Sequence, residues 1–246
     1  MNISASQALR LGLLFILLFA LALLLIRMAT TGYDVFDHNL SELIRSWRNP
    51  QADFPMLSAT LLGNWPIVTC TVIAMCSVLI YRRYWSLLVG VLSTMAASGA
   101  FVSGVKSVVQ AARPESDLYT KGVSVFSFPS GHTTFSTLLG MLLIWFSWRG
   151  IQNTILRSLS IIVISVMMGL VAVSRIYLGA HWPTDIAAGF LFSASVALVF
   201  SLLLAHKPLE PAVATQVIAF SGLTYIVLGI IYLIAIWPSA LIMYAH

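Results

Sequence analysis

Charged residues are scarce in this chain. They make up 9% of its 246 residues, whereas hydrophobic residues make up 59%. A soluble domain usually carries about 25% charged residues, so this composition excludes an ordinary soluble fold. The apolar residues gather into runs that could cross a hydrocarbon layer about 30 Å thick, which takes about 20 helical residues. The sequence therefore predicts an all-α fold, a polytopic transmembrane helical bundle.

Cysteines and basic tracts are also nearly absent. The only two cysteines, Cys70 and Cys76, lie six positions apart in one apolar run, so they face different sides of a helix and indicate neither a disulfide framework nor a zinc site. The net charge is +5, but the Lys and Arg residues are scattered between apolar runs. This distribution argues against a nucleic-acid partner and for the lipid bilayer as the surroundings of the chain.

Seven membrane spans are the simplest interpretation of the apolar runs. They cover residues 9–29, 56–81, 85–109, 131–148, 155–178, 183–205 and 215–240. The first run lacks a small-residue cleavage site, which favours a retained span over a signal peptide. No repeat or separable soluble segment interrupts the series, so we predict a single membrane domain over residues 1–246.

A short amphipathic helix is predicted between the first two runs, at about residues 39–49. Its apolar side chains recur at i, i+3, i+4 and i+7: Leu40, Leu43, Ile44 and Trp47. Asn39 could cap this helix. The pattern favours a segment that rests on the membrane surface, and a direct role in admitting lipid is the alternative.

The first of three polar clusters is KSVVQAARP, at the end of the third run. Charges at such positions are informative because burying one in hydrocarbon costs at least about 2.5 kcal/mol. Lys106 and Arg113 would project from one helical face about 10 Å apart if the helix continues to Pro114, which would end it. Taken singly, Lys106, like Arg175 below, is typical of a side chain that reaches the lipid headgroups.

The second cluster is PSGH, at the start of the fourth run. The free N–H groups at a helix start attract an anion, and Gly131 would let an oxyanion approach closely. Ser130 could add a hydroxyl group, and His132 could add a proton donor.

The third cluster is SRIYLGAHWPTD, between the fifth and sixth runs. Arg175 ends one span, and His181 precedes the next, whose first turn contains Asp185. The Asp185 carboxylate could accept the proton-bearing ring nitrogen of His181, which would leave the other nitrogen free as an oriented nucleophile. Trp182, beside this histidine, is interpreted as an anchor or wall of the site.

The predicted topology brings the three clusters to the same membrane face. The third span ends, the fourth begins and the fifth ends on one side of the bilayer, so the clusters can form one pocket. Cations, a helix start, a hydroxyl and two histidines at one depth are suited to a multiply charged oxyanion.

The clusters resemble, in order and residue type, the motifs K-x6-R-P, P-S-G-H and S-R-x5-H-x3-D of the type-2 phosphatidic acid phosphatase (PAP2) and haloperoxidase superfamily. No motif position departs from the pattern, which extends from Lys106 to Asp185 and covers about a third of the chain. The resemblance implies a six-span PAP2-like core, to which the run at 215–240 would add a seventh span.

The resemblance also implies a role for each motif residue. His181 would attack phosphorus to form a phosphohistidine, His132 would protonate the leaving group, and Asp185 would orient the nucleophile. The phosphate oxygens would be bound by the remaining motif residues: Lys106, Arg113, Ser130, Gly131 and Arg175. Neither a metal ion nor another cofactor is expected.

We therefore expect a lipid phosphatase that acts on a phosphate monoester or diphosphate, such as undecaprenyl diphosphate, phosphatidic acid, phosphatidylglycerol phosphate or lipid A phosphate. The alternatives are a lipid phosphotransferase with the same intermediate, a vanadate-dependent haloperoxidase, and a lipid-phosphate binder or transporter without turnover. The sequence does not specify the oligomeric state.

The expected location is a bacterial inner membrane, with the active site facing the periplasm. A cytoplasmic N-terminus places six Lys and Arg residues inside and seven outside. This count favours the orientation only after Lys106, Arg113 and Arg175 are assigned to the site.

Overall fold

The computed structural model of the protein describes residues 5–115 and 125–244, and within these residues the chain forms nine α-helices and no strands. Their bounds are α1 (Ala5–Thr30), α2 (Val35–Arg45), α3 (Pro50–Leu62), α4 (Trp65–Tyr81), α5 (Trp85–Val109), α6 (Gly131–Gly150), α7 (Thr154–Tyr177), α8 (Pro183–Leu204) and α9 (Pro211–Tyr244). The all-α prediction is confirmed.

Five of the described helices are long and apolar enough to cross a membrane: α1, α5, α7, α8 and α9. The run predicted as the second span is instead a pair of helices, α3 and α4, bent by 48° where they meet. Asn64 has an extended conformation at the bend, and Pro66 follows in the first turn of α4. A proline is tolerated there because its missing N–H would have no intrahelical partner. Counted as one crossing, the pair makes a sixth span.

The central helix of the bundle is α6, which has the length of a span but a more polar composition than the others. It packs against α7, α8 and α9. Its buried side chains include Thr133, Thr134 and Thr137. The backbone carbonyl of Thr134 accepts a hydrogen bond from Ser193 Oγ of α8 at 2.7 Å. Because α6 is surrounded by protein, small polar side chains can replace the lipid-facing residues of an outer span.

The short amphipathic helix begins at Val35, earlier than the sequence pattern predicts. Asp34 is its N-cap and accepts a hydrogen bond from the Asp37 backbone N–H at 3.1 Å, while the Asp37 carboxylate receives the Asp34 N–H in return. The prediction that Asn39 caps this helix is wrong, because this reciprocal pair already binds the free N–H groups one turn earlier.

Helix α2 is attached to the bundle through both apolar and polar contacts. Leu40 and Ile44 pack against the end of α7, including Tyr177. The fully buried Asp37 accepts hydrogen bonds from the N–H and the hydroxyl group of Thr184, both at 2.9 Å. These contacts bring α2 against the start of α8, whereas Leu43 and Trp47 remain exposed.

Helix α5 ends at Val109, before the proline that was expected to end it. The next residue, Gln110, has a left-handed conformation with φ of +50°. The prediction that Lys106 and Arg113 share one continuous helix is therefore wrong. Arg113 reaches the site from the non-helical segment that follows α5.

The last helix, α9, confirms the predicted additional C-terminal span. It packs along α4 and α6 and also contacts α3. Toward its C-terminal end, α9 packs against Leu57 and Leu61 of α3 through four side chains: Tyr232, Leu233, Ile236 and Trp237.

Candidate active site

The three polar clusters meet at one end of the bundle. Lys106 lies in the last turn of α5, His132 in the first turn of α6 and Arg175 in the last turn of α7. His181 lies in the turn between α7 and α8, and Asp185 lies in the first turn of α8. The structure therefore brings to one end the motif residues that the sequence placed on one membrane face.

A tight turn directs His181 into the bundle. Gly179 has φ of +69°, a conformation that glycine adopts at little cost. The backbone N–H of His181 then donates to the Arg175 carbonyl at 3.1 Å. The His181 side chain is only 3% exposed, and its Nδ1 lies 3.0 Å from Oδ2 of the fully buried Asp185.

The Asp185 carboxylate is held by several donors. Its Oδ2 accepts the Trp182 backbone N–H at 2.9 Å and the Ser127 hydroxyl group. Its Oδ1 accepts the Tyr33 hydroxyl group at 2.8 Å. These donors, together with His181 Nδ1, stabilise a buried negative charge and fix its orientation.

These contacts determine which ring nitrogen of His181 can act as a nucleophile. The Asp185 carboxylate can only accept a hydrogen bond from His181 Nδ1, so Nδ1 carries the proton and Nε2 keeps its lone pair. Burial lowers the pKa of His181 well below its usual value, and the positive charges of Arg175, Arg113 and Lys106 lower it further. The ring is therefore neutral near pH 7 in the ligand-free protein.

Lys106 and Arg113 are fixed by backbone carbonyl groups. Lys106 Nζ donates to the Phe126 carbonyl at 2.5 Å and the Ser127 carbonyl at 3.0 Å. Arg113 donates to the Ala180 carbonyl and, at 3.3 Å, to the Phe126 carbonyl. Its Nη1 also lies 3.4 Å from His181 Nε2. Carbonyl groups are neutral, so these contacts position the cations without cancelling their charge.

Arg175 is the most deeply placed of the three cations. It is 1% exposed, and its Nη1 donates to the Thr60 hydroxyl group at the end of α3. Burying a guanidinium group is costly unless an anion or hydrogen bonds compensate it. Arg175 therefore favours an anion in the pocket.

The PSGH cluster forms the start of α6. The Ser130 hydroxyl oxygen accepts the Thr133 backbone N–H at 3.3 Å and the Thr133 hydroxyl group at 3.1 Å, which leaves the Ser130 hydrogen able to donate. A Cβ at Gly131 would meet Val102 at 3.6 Å, an ordinary contact, so protein packing alone does not require glycine there. His132 Nε2 lies 2.5 Å from Asn64 Oδ1 at the α3–α4 bend.

Sequence reasoning missed four residues that contact the motif side chains: Tyr33, Thr60, Asn64 and Ser127. Ser127 lies two positions before PSGH and could have been considered with it. Asn64 interrupts an apolar run directly before a Trp-Pro pair, which is a pattern typical of a helix start. The other two offered no pattern, because their contacts depend on helices that are distant in sequence.

Trp182 lies beside His181 and is half-buried. Its ring lies 4.9 Å from the Tyr33 ring and 4.7 Å from the His38 ring, and its Nε1 donates to the Ala112 carbonyl at 3.1 Å. Asp117 and Lys121, which follow Arg113 in the sequence, lie outside the described residues.

Comparisons with known proteins agree with this architecture. The family model of the PAP2 superfamily matches residues 87–208, which include every position of the three motifs. The fold is similar to the crystal structure of a transmembrane PAP2 type phosphatidylglycerolphosphate phosphatase from Bacillus subtilis. That likeness has a TM-score of 0.66 and 24% sequence identity, and it covers 80% of this chain and 97% of the other. The bundle is thus of the transmembrane PAP2 class.

Curated relatives with similar sequences are decaprenylphosphoryl-5-phosphoribose phosphatases from two strains of Mycobacterium tuberculosis. Each is 30% identical over 126 residues, which cover 48% of this chain and 60% of the relative. The chain thus matches less than two thirds of their length. Together with the family match and the intact motifs, these findings show that the chain belongs to the PAP2 superfamily.

Proposed function

We propose that this protein is a membrane lipid phosphatase that hydrolyses a phosphate monoester or diphosphate through a phosphohistidine on His181. The observation that carries the proposal is the His181–Asp185 pair, joined at 3.0 Å beside buried and half-buried cations. Binding a phosphate would need only the cations. A neutral imidazole oriented by a carboxylate is the arrangement that a nucleophile requires.

In the first step, the lone pair on His181 Nε2 attacks phosphorus and the bond to the leaving oxygen breaks. His132 is protonated when the bound phosphate anion offsets the surrounding positive charges, and it gives its proton to that oxygen, so that the lipid alcohol or lipid phosphate leaves. The imidazole gains positive charge as the N–P bond forms, and the Asp185 carboxylate stabilises that charge through Nδ1.

In the second step, water attacks the phosphorus of the phosphohistidine. Neutral His132 takes a proton from this water, the N–P bond breaks, and the bonding electrons return to Nε2. Inorganic phosphate leaves and both histidines regain their starting protonation states. Phosphoryl transfer demands mainly positioning and charge stabilisation, so one pair of histidines can serve both steps.

The cations would bind the non-bridging oxygens, which carry the developing charge. In the ligand-free protein, Arg113 Nη1 lies 3.4 Å from His181 Nε2 and thus faces the attacking lone pair. An incoming phosphate would draw Arg113 onto its own oxygens and expose that lone pair. Substrate binding and release of the nucleophile would then be coupled.

A lipid is the proposed substrate because the site lies at one end of a bundle of apolar helices. A phosphate held there would lie near headgroup depth, with its hydrophobic part among the helices. The relatives described above, by their names, act on phosphatidylglycerolphosphate and on decaprenylphosphoryl-5-phosphoribose. Both are lipids with a terminal phosphate, which supports the same class of substrate here.

The proposed location is a bacterial inner membrane, with the site facing the periplasm. Among the basic residues at the site end, Arg27 forms salt bridges with Asp34 and Asp37. Arg48 donates to the Tyr177 carbonyl at 2.7 Å. With these two residues and the three site cations set aside, few basic residues at the site end remain to count toward membrane orientation. The other end of the bundle carries more of them, which favours a cytoplasmic location for that end: Arg82, Arg83, Arg149, Arg157 and Lys207. A reporter fused after residue 207 should behave as cytoplasmic, and a periplasmic signal would overturn this orientation.

The test is phosphate release from a lipid phosphate by purified protein in detergent, with and without a metal chelator. His181→Asn should lower kcat by about a thousandfold or more, because it removes the nucleophile. His206→Asn, at an exposed position in the α8–α9 connection, is the matched control. Unchanged turnover by His181→Asn would refute the nucleophile, and loss of wild-type turnover with chelator would refute metal independence.

Product analysis separates hydrolysis from its alternatives. With a labelled lipid phosphate and excess acceptor lipid, inorganic phosphate should carry the label. Label found in the acceptor lipid would identify a phosphotransferase. Binding without any label transfer would identify a binder or transporter.

A further inference from the structure

An apolar groove of about 430 Å³ lies on the bundle between α4, α6, α7 and α9. Its wall is formed mainly by aliphatic and methionine side chains, and no charged side chain is among the described residues that line it. Methionines 167 and 168 contribute flexible side chains that can adapt to an irregular chain. The groove therefore suits hydrocarbon and offers nothing to a polar headgroup.

The outer end of the groove is adjacent to the candidate active site. Three of its lining residues, Val68, Ser136 and Val171, each lie four positions, one helical turn, from a residue of the site: Asn64, His132 and Arg175. Within α6, the Ser136 hydroxyl group donates to the His132 carbonyl at 2.5 Å, so a side chain that lines the groove contacts the backbone of the first turn of the helix.

The groove is longer than one leaflet of a bilayer. Along α7 it extends from Leu156 to Val171, which corresponds to about 22 Å of helix. Half of the hydrocarbon layer is about 15 Å thick. Its inner end, at Leu156, lies 19 residues or about 28 Å along α7 from Arg175 of the site, which is nearly twice the reach of an acyl chain that spans one leaflet.

We propose that this groove binds the tail of the substrate, and that the tail is a single hydrocarbon chain longer than one leaflet, as in a polyprenyl phosphate. The inference rests on the proposed function, since the site must hold the phosphate for the tail to enter the groove. It extends that function by assigning a tail-binding role to α9, part of which, including Gly222, Tyr225 and Ile226, lines the groove. Helix α9 lies beyond residues 87–208, which match the family model.

Gly222 offers a way to block the groove without disturbing the fold. It lines the groove, and a Cβ built on it meets no atom within 4 Å. It precedes Tyr232, whose hydroxyl group accepts from Asn64 beside the site, by ten residues, or about 15 Å along α9. A larger side chain there would obstruct a long tail and leave a short one unaffected.

The experiment compares Gly222→Leu with Gly169→Leu, using farnesyl phosphate and undecaprenyl phosphate as substrates in detergent. Gly169 is exposed on α7, also has no atom within 4 Å of a built Cβ, and does not line the groove. Gly222→Leu should lower kcat/KM for undecaprenyl phosphate about tenfold, a typical steric discrimination in an apolar pocket. For farnesyl phosphate the change should be less than twofold, and Gly169→Leu should behave as wild type with both.

Equal losses on both substrates, or no loss on either, would overturn the proposal. A changed oligomeric mass for Gly222→Leu without a chain-length effect would also overturn it and indicate that a second copy covers the groove. If wild-type protein releases no phosphate, the proposed hydrolysis fails, but photolabelling with a polyprenyl phosphonate that carries a photoreactive tail still tests the groove. Labelling of α7 and α9 that is reduced in Gly222→Leu would support tail binding. If the free polyprenol competes with the label as well as the polyprenyl phosphate does, the groove binds lipid non-selectively and the proposal is overturned.

Discussion

Replacing Tyr33 with phenylalanine should weaken the His181–Asp185 pair, which we propose to be catalytic, without removing a contact to the substrate. The Tyr33 hydroxyl group donates to Asp185 Oδ1 at 2.8 Å, and the opposite oxygen of that carboxylate receives His181 Nδ1. Phenylalanine would keep the ring beside Trp182, whose centroid lies 4.9 Å away, so only the hydrogen bond is removed. Burial, followed by the negative charge of Asp185, raises the pKa of Tyr33, so the hydroxyl group remains a donor throughout an alkaline assay.

The expected size of the effect follows from the charge of the acceptor. A hydrogen bond to a charged group contributes about 1.5–3 kcal/mol. The hydrogen bond is present both in the resting protein and in the transition state of phosphoryl transfer. Its removal should therefore lower the stability of the fold more than it lowers the rate. We expect about 2 kcal/mol less stability and a five- to tenfold lower kcat, because Asp185 retains three other donors but loses orientation.

The assay combines thermal unfolding in detergent with steady-state kinetics on a lipid phosphate. Tyr81→Phe, at an exposed tyrosine on the opposite end of the bundle, is the control and should change neither quantity. A higher KM with unchanged kcat would mean that Tyr33 contacts the substrate, and unchanged stability and kcat would mean that the hydrogen bond contributes nothing. Either result would refute the argument.

Two further predictions concern the histidines. Because its pKa is lowered, His181 should stay neutral in the folded protein as the pH falls through about 6.5. The same histidine in the unfolded chain would take up a proton, so the free energy of unfolding should decline below that pH. Nitrogen NMR of histidine-labelled protein, assigned with His181→Asn, should show this lowered pKa, and Lys106→Met should raise it; a titration at 6.5 or above in the wild type would contradict the reasoning. Asn64→Leu should remove the hydrogen bond to His132 and lower kcat about tenfold for an alkyl phosphate but less for an aryl phosphate, whose leaving group needs less protonation. An equal loss on both substrates would exclude a role through the proton donor.

The placement of the proposed reacting groups at one end of the bundle was predictable because they lie close in sequence or at the ends of neighbouring helices. The four-residue spacing places His181 in the turn before a helix and Asp185 in the first turn of that helix. In the structure, His181 Nδ1 lies 3.0 Å from Asp185 Oδ2. Helix ends are fixed by hydropathy to within a few residues, so Lys106, His132 and Arg175 could be assigned to one end before any packing was known.

The errors have a common physical origin in local backbone choices that hydropathy does not determine. An apolar run gives no indication that α5 ends at Val109 because Gln110 adopts a left-handed conformation, or that another run is bent at Asn64. The start of α2 was misplaced because Asp34 and Asp37 form a reciprocal cap outside the apolar pattern. Such choices depend on hydrogen bonds of single residues, and periodicity does not detect them.

The residues that were predicted lie within the region that matches the family model, and most of the contacting residues that were missed lie outside it. Residues 87–208 supply every residue of the three motifs, both those proposed to touch the phosphate and Asp185, which is proposed to orient His181. The partners of three of them come from outside that range: Tyr33 for Asp185, Thr60 for Arg175 and Asn64 for His132. A chain cut down to the matched region would therefore keep its reacting groups and lose the contacts that orient them. Because α9 both contacts Asn64 through Tyr232 and lines the groove, variation outside the motifs is where differences in substrate between members of this superfamily should arise.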